Sequence, residues 1–187
     1  MRKIENIIMA FAAIMAIAAS SVFAAPRTVD VRQPEVQQQV SKKVRHELVM
    51  LPYYGVFDNL AYKVEGDTVT LYGQVVHPST RDDAARRVAK IAGVNHVVNN
   101  IEVLPLSSFD DEIRVRTYRR VFNMGSLYRY AMGSNPSIHI IVNRGHVTLE
   151  GVVSSEMDRR LANIAASGVP GVFSVTNNLQ IDNGRRY

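Results

Sequence analysis

The sequence predicts an α+β protein built from two tandem copies, each running helix, strand, strand, helix, strand. Three observations predict it. First, the chain repeats itself: Val69-Thr70-Leu71-x-Gly73-x-Val75 returns as Val147-Thr148-Leu149-x-Gly151-x-Val153, an offset of 147 − 69 = 78. The same offset carries Ala84 onto Ala162, Gly93-Val94 onto Gly171-Val172, and Val97-x-Asn99-Asn100 onto Val175-x-Asn177-Asn178. Solenoid units span about 20–50 residues, so a spacing this long marks two copies of one small domain. Second, apolar residues alternate on both sides of two-residue turns, the pattern of hairpins between half-buried strands. Third, apolar residues at helical spacing flank each hairpin.

The elements follow in order. Arg2 and Lys3 precede an uncharged run, Ile7 to Ala19, and small residues frame Val22-Phe23-Ala24. A basic start, an apolar stretch of about 7–15 residues and a small-residue cleavage site make a secretory signal. Residues 1–24 are therefore expected to be removed, with Ala25 beginning the mature chain and residues 25–37 forming a tail. A membrane-spanning helix needs about 20 apolar residues, more than this run supplies, and an uncleaved membrane anchor is the competing reading.

The first domain is expected over residues 38–104. Val40, Val44, Leu48 and Leu51 recur at helical spacing until Pro52 stops the helix. Leu60, Tyr62 and Val64 alternate, Gly66-Asp67 turns the chain, and Val69, Leu71, Gly73 and Val75 alternate on the return. Thr80 with Asp83 reads as a capping box for a second helix whose inward residues are Ala84, Val88 and Ile91. Gly93 closes that helix, and Val97 to Val103 is the last strand.

Residues 105–108, stiffened by Pro105, are the linker, short enough to hold the copies close. The second domain is expected over 109–182, leaving 183–187 as a tail. Ile113 to Phe122 is its first helix. Ile138, Ile140 and Val142 make a strand, Arg144-Gly145 a turn, and Ser155 with Asp158 a helix cap. Met157, Leu161, Ile164 and Ala165 are read as the buried stripe of its second helix, and Val172 to Ile181 closes the copy. Gly73 and Gly151 mark a bulge or a closely packed helix. Asn99 and Asn177 share parity with inward residues, so their amides are expected to tie down loop backbone.

The chain has no cysteine. That removes lipid anchors on cysteine, disulfides, thiolate metal sites and cysteine nucleophiles together. Each domain must then be held by its hydrophobic core, small but sufficient at roughly 65–75 residues. Export without disulfides points to a Gram-negative periplasm, with the outside of another bacterium as the alternative. The net charge is +5, and Arg2, Lys3 and Glu5 of the signal take 5 − 1 = +4 into the mature chain. A basic exported protein favours anionic phospholipid, lipopolysaccharide or another envelope polyanion. The compartment argues against nucleic acid.

Val-Thr-Leu-x-Gly-x-Val, a helix with a small-residue stripe, then Gly-Val and a Val-x-Asn-Asn strand, resemble the BON (bacterial osmotic-shock and nodulation) domain. The resemblance covers nearly all of the mature chain, and a signal followed by two such copies is similar to the osmotically inducible periplasmic proteins of that family. It implies, for each copy, an αββαβ sandwich of two helices on a three-stranded mixed sheet. It also implies a role in envelope integrity, attributed to binding phospholipid. The shared motif residues are core and turn positions, so the resemblance by itself supplies no reactive site.

No hydrolase elbow or Walker-type loop occurs in the sequence. The five histidines lack metal-ligand spacing, although His139 and His146 could face each other across a hairpin. The carboxylates Asp82-Asp83 and Asp110-Asp111-Glu112 open helices, where the positive end of the macrodipole favours them. Gly168-Val169-Pro170-Gly171 imitates the backbone clamp of KH domains, but it sits between a helix and a strand. The expectation is a non-enzymatic protein with no cofactor and no metal.

The copies differ most at their first helices. The first carries Lys42, Lys43 and Arg45. The second carries Arg116, Arg119 and Arg120 on the arc opposite Ile113, Thr117 and Val121, while Arg114 falls near the apolar arc and predicts loose docking. An insertion of about 78 − 73 = 5 residues follows, within Gly125 to Gly133. There Leu127, Tyr128, Arg129, Tyr130 and Met132 fit a segment that enters a headgroup region, or else a short helix covering the sheet edge. The expected lipid contact is thus Arg116, Arg119 and Arg120 with that segment, and Lys42, Lys43 and Arg45 form a secondary basic face. The alternative is an adaptor that docks an envelope assembly or client protein on the same surface.

Overall fold

Proline at the first helical position pre-sets φ and gives up no hydrogen bond, and both helices of the first copy begin with one. The computed structural model describes residues 34–133 and 135–182, so the expected signal lies outside the described residues. Helix α1 is Pro34–Val49, with Val40, Val44 and Leu48 buried. Strands β1 (Asn59–Glu65) and β2 (Thr68–Val75) form the hairpin, and β3 (His96–Val103) closes the copy. Helix α2 (Pro78–Val88) links β2 to β3, which allows them to run parallel. The sheet order is β1-β2-β3, antiparallel then parallel.

The second copy repeats this plan with α3 (Ser108–Phe122), β4 (Ile138–Asn143), β5 (His146–Val153) and α4 (Glu156–Ser167). Its closing strand is broken into β6 (Ser174–Asn177) and β7 (Gln180–Ile181), both paired in parallel with β5. The protein is α+β, two tandem αββαβ units, each with its own hydrophobic core.

The motif residues explain the repeat. Gly73 and Gly151 have φ of +120° and +119°. A Cβ at either position would overlap the carbonyl oxygen of Asn59 or Ser137. The neighbouring strand, not a helix, presses on these glycines. Asn99 and Asn177 each hold a helix rather than a loop. Their Nδ2 groups donate to the carbonyls of Arg81 and Arg159 at 3.1 and 2.8 Å, and their Oδ1 atoms accept from the amides of Ile101 and Leu179.

Several local expectations are corrected. His77, not Thr80, precedes α2, and its side chain makes no cap bond. Pro78 starts the helix 80 − 77 = 3 residues early, so Thr80 is buried within the first turn. Helix α4 is capped by Ser155, as its sequence predicts, but it buries Asp158, Ala162, Ala165 and Ala166. Met157 and Ile164 are exposed. Small residues bring the helix close to the sheet, and Asp158 is drawn inward by Ser126, Tyr130 and Ser155. Helix α3 is not loosely docked: Arg114 is buried, pairs with Asp111 and donates from Nη2 to the Val142 carbonyl at 2.8 Å. Asp110 is buried too, accepting from the amides of Arg144 and Gly145.

A loop of the first copy clasps the second. The Ile140 amide, on the outer edge of β4, donates to the Val56 carbonyl at 2.7 Å. Phe57 meets Tyr118 of α3 edge-on, with ring centres 6.2 Å apart. His139 lies opposite Glu150, not His146. Its Nδ1 is 3.2 Å from the Gly55 carbonyl and its Nε2 3.5 Å from the Tyr54 hydroxyl.

This clasp is expected to loosen in mild acid. Burial holds His139 below the ordinary 6.5, against the opposing pull of the Gly55 and Asp58 backbone and the charges of Asp58 and Glu150. With the folded pKa depressed, its contribution is full above the unfolded value and is lost as pH falls below it. Asp58 acts oppositely, because burial raises its carboxyl above 3.8 and the folded state recovers stability as pH falls through that raised value. Thermal melts at pH 7.5 and 5.5 should show a fall in Tm that His139→Gln reduces. An equal fall in His139→Gln would clear His139 of the effect.

Candidate functional site

Two grooves at equivalent places in the two copies each gather several basic side chains. In the second copy the groove runs between α3 and the end of α4, with a volume of about 660 Å³, and is lined by Arg116, Arg119, Arg120, Met124, Val169 and Pro170 among others. In the first copy the groove of about 760 Å³ between α1 and α2 is lined by Lys42, Lys43, His46, Glu47, Arg87 and Lys90 among others. The offset 116 − 43 = 73 carries Lys43, His46 and Glu47 onto Arg116, Arg119 and Arg120, and 168 − 90 = 78 carries Lys90, Ile91 and Ala92 onto Gly168, Val169 and Pro170. Duplication has thus kept the groove and changed its lining.

The change is electrostatic. In the first copy Glu47 is 3.4 Å from Arg87, a partner within the groove. The second copy replaces that glutamate with Arg120. Arg116 retains a 2.7 Å pair with Glu112, while no ion pair engages Arg119 or Arg120 among the described residues. Three guanidiniums beside Met124, Val169 and Pro170 suit an anion carried on an apolar body. Guanidinium forks bind phosphate or carboxylate through paired donors.

The inserted segment does not join them in the way the sequence suggests. It forms a 3₁₀ turn, Gly125–Ala131, in which Leu127 and Tyr130 are buried in the domain core. The Tyr130 hydroxyl donates to Asp158 and accepts from the Ser154 amide. Arg129 is exposed but tied to Asp158 at 2.6 Å. Leu127 and Tyr130 are therefore structural, because the turn covers the sheet and completes the polar cluster around Asp158. Tyr128 and Met132 remain exposed. In the first copy Lys42 and Lys43 line the groove, and Arg45 is exposed outside it.

The sequence reading missed Val169 and Pro170, because Gly168 to Gly171 reads as a false loop motif. Their alignment with Ile91 and Ala92, at the end of the other second helix, was the available signal. Among the described residues no cluster of three or more histidine, aspartate or glutamate side chains could hold a metal ion. No described helix is long and apolar enough to cross a membrane.

The family model described as the BON domain matches residues 37–105 and 129–183. The second match starts beyond α3, inside the inserted turn that the first copy lacks. A search of curated protein sequences finds no match. Among solved structures the chain is similar to CdsD, a structural protein of the type III secretion system of Chlamydia trachomatis. The identity is 10% and the TM-score 0.30, over 80% of this chain and 99% of that one. The C-terminal domain of CdsD gives 12% and 0.27, over 75% and 96%. Neither likeness carries functional weight.

Proposed function

The chain belongs to the BON domain family, and on that premise we propose that it is a non-enzymatic periplasmic envelope protein that binds anionic phospholipid through its second copy. The observation that carries the reading is the groove of Arg116, Arg119 and Arg120, where the first copy's Glu47–Arg87 pair has no counterpart. Basic residues near an anionic membrane surface contribute about 1 kcal/mol each. Three of them give weak, reversible, salt-sensitive attachment, the behaviour of a peripheral maintenance or stress protein rather than an anchored one. The first-copy groove is a second, weaker contact, since Glu47 offsets part of its positive charge.

Flotation with phosphatidylglycerol-containing liposomes tests this. Recovery should be high at low salt, fall steeply at high salt, and be negligible with phosphatidylcholine alone. Equal recovery with neutral liposomes, or none with either, overturns the reading.

A protein-interaction adaptor is the second reading, favoured by Met157 and Ile164, exposed on one stripe of α4 at 164 − 157 = 7 residues apart. Cross-linking in the envelope separates the two. A single stoichiometric protein partner that survives detergent would support the adaptor.

A further inference from the structure

The hairpin turn of each copy is clasped by the loop that follows the second helix, and the two clasps differ in their side chains. In the first copy the Asn95 amide donates to the Asp67 carbonyl at 2.8 Å, and its side chain donates to the Asp67 carboxylate at 3.0 Å. The offset of 78 carries Asp67 onto Gly145 and Asn95 onto Phe173. The backbone bond persists, from the Phe173 amide to the Gly145 carbonyl at 2.9 Å. The Asn95–Asp67 side-chain bond has no counterpart, and the Phe173 ring lies over the bare Gly145 instead, with His146 edge-on at 5.9 Å and itself 2.7 Å from the Ser174 hydroxyl. Since a polar pair secures the same turn in the first copy, the turn does not require an aromatic.

Phe173 is nevertheless 70% exposed, and its ring centre is 6.0 Å from that of Phe109, which is 46% exposed. Leu106, just before α3, is 95% exposed. Phe109 stands on α3 in the same stripe as Arg116 and Arg120, at 116 − 109 = 7 and 120 − 109 = 11 residues, about two and three helical turns. Its ring packs against Gly171, next to the groove wall at Pro170. Arg144 precedes Gly145, on which Phe173 lies, and its amide donates to the carboxylate of Asp110, the neighbour of Phe109. It keeps a positive φ of 52° where the first copy has Gly66, and no ion pair engages it among the described residues.

We propose that Phe109 and Phe173 form an aromatic wedge that enters the acyl boundary of an anionic bilayer, while Arg116, Arg119, Arg120 and Arg144 hold the surrounding phosphates. The proposal rests on the phospholipid reading above and supplies its apolar component, which the buried Leu127 and Tyr130 cannot. Cations around a solvent-exposed aromatic pair complement the layered chemistry of an anionic lipid surface, with phosphates outside and acyl chains within. The asymmetry between the copies follows, because the first carries Val36 and Asn95 at the two wedge positions (109 − 73 = 36, 173 − 78 = 95).

The chain contains no tryptophan, so Phe173→Trp installs a single reporter. On adding phosphatidylglycerol vesicles its emission should shift to the blue and be quenched by lipids brominated in the acyl chain. Tyr128→Trp, on the inserted turn, should stay unquenched. Phe109→Ser with Phe173→Ser should lower vesicle partitioning roughly thirtyfold, with an unchanged far-ultraviolet circular dichroism spectrum. Flotation of the Phe173→Trp variant with its indole unquenched overturns the wedge and leaves the groove reading standing. Absence of flotation overturns both. A blue shift that grows with protein concentration without vesicles assigns the pair to self-association and overturns the wedge.

Discussion

Gly151→Ala should cost the second domain about 3 kcal/mol or more. The loss has two sources. The residue sits at φ +119°, a region that side chains other than glycine's rarely adopt, and a Cβ there would overlap the Ser137 carbonyl. Relief requires β4 and β5 to part where the core is anchored by Ile138, Leu149 and Val153, all buried. A domain of this size has only roughly 4–10 kcal/mol in total, so much of its stability goes with one methyl group. Urea denaturation would measure it. Gly73→Ala should act similarly on the first domain, against Asn59. A loss below about 1 kcal/mol, or a gain of the kind Gly-to-Ala gives where the backbone tolerates a side chain, would mean that the strands separate easily and that the glycine is not what fixes the hairpin.

Arg119→Glu with Arg120→Glu should nearly abolish attachment to anionic liposomes while leaving the fold intact. Each reversal removes about 1 kcal/mol of attraction and adds a similar repulsion, so the pair changes binding by roughly 4 kcal/mol, or about a thousandfold. Neither side chain is held by an ion pair among the described residues, and exposed charges seldom alter stability by more than about 0.5 kcal/mol. Lys42→Glu with Lys43→Glu should cost far less, since the first groove already contains Glu47 and lacks the aromatic pair. Flotation and thermal melts on both variants decide it. A larger loss from the lysine pair would reverse the division of labour between the copies.

The architecture was legible in the sequence because its determinants are periodic and repeated. Alternation located the strands, and the recurrence of Gly73 at Gly151 and Asn99 at Asn177 fixed two copies of one plan. What escaped depends on rotation and on distant partners. The orientation of α4 is set by Asp158, whose partners Ser126, Tyr130 and Arg129 lie about 30 residues away, so a hydrophobic count chose Met157 and Ile164 in place of Ala162 and Ala166. Arg114 looked misplaced because its acceptor, the Val142 carbonyl, is on another element. At the candidate site the arginines were legible as one helical face. Their companions were not, since Val169 and Pro170 reach the groove only through tertiary packing. The tyrosine-rich insertion left two readings open, a membrane contact or a short helix over the sheet edge, for the same reason: composition does not reveal which rings turn inward.

The clasp between the copies also closes an edge of the sheet. An open strand edge is a template for pairing with another chain, and among the described residues β4 pairs only with β5 in its own sheet. Val56 of the first unit occupies the outer side of β4 by accepting from the Ile140 amide. Just before the strand, the inserted turn folds back, with the Ser137 amide donating to the Tyr130 carbonyl. The edge that hairpin pairing leaves open is therefore shielded from intermolecular strand addition by two features, a neighbouring unit's loop and an inserted turn.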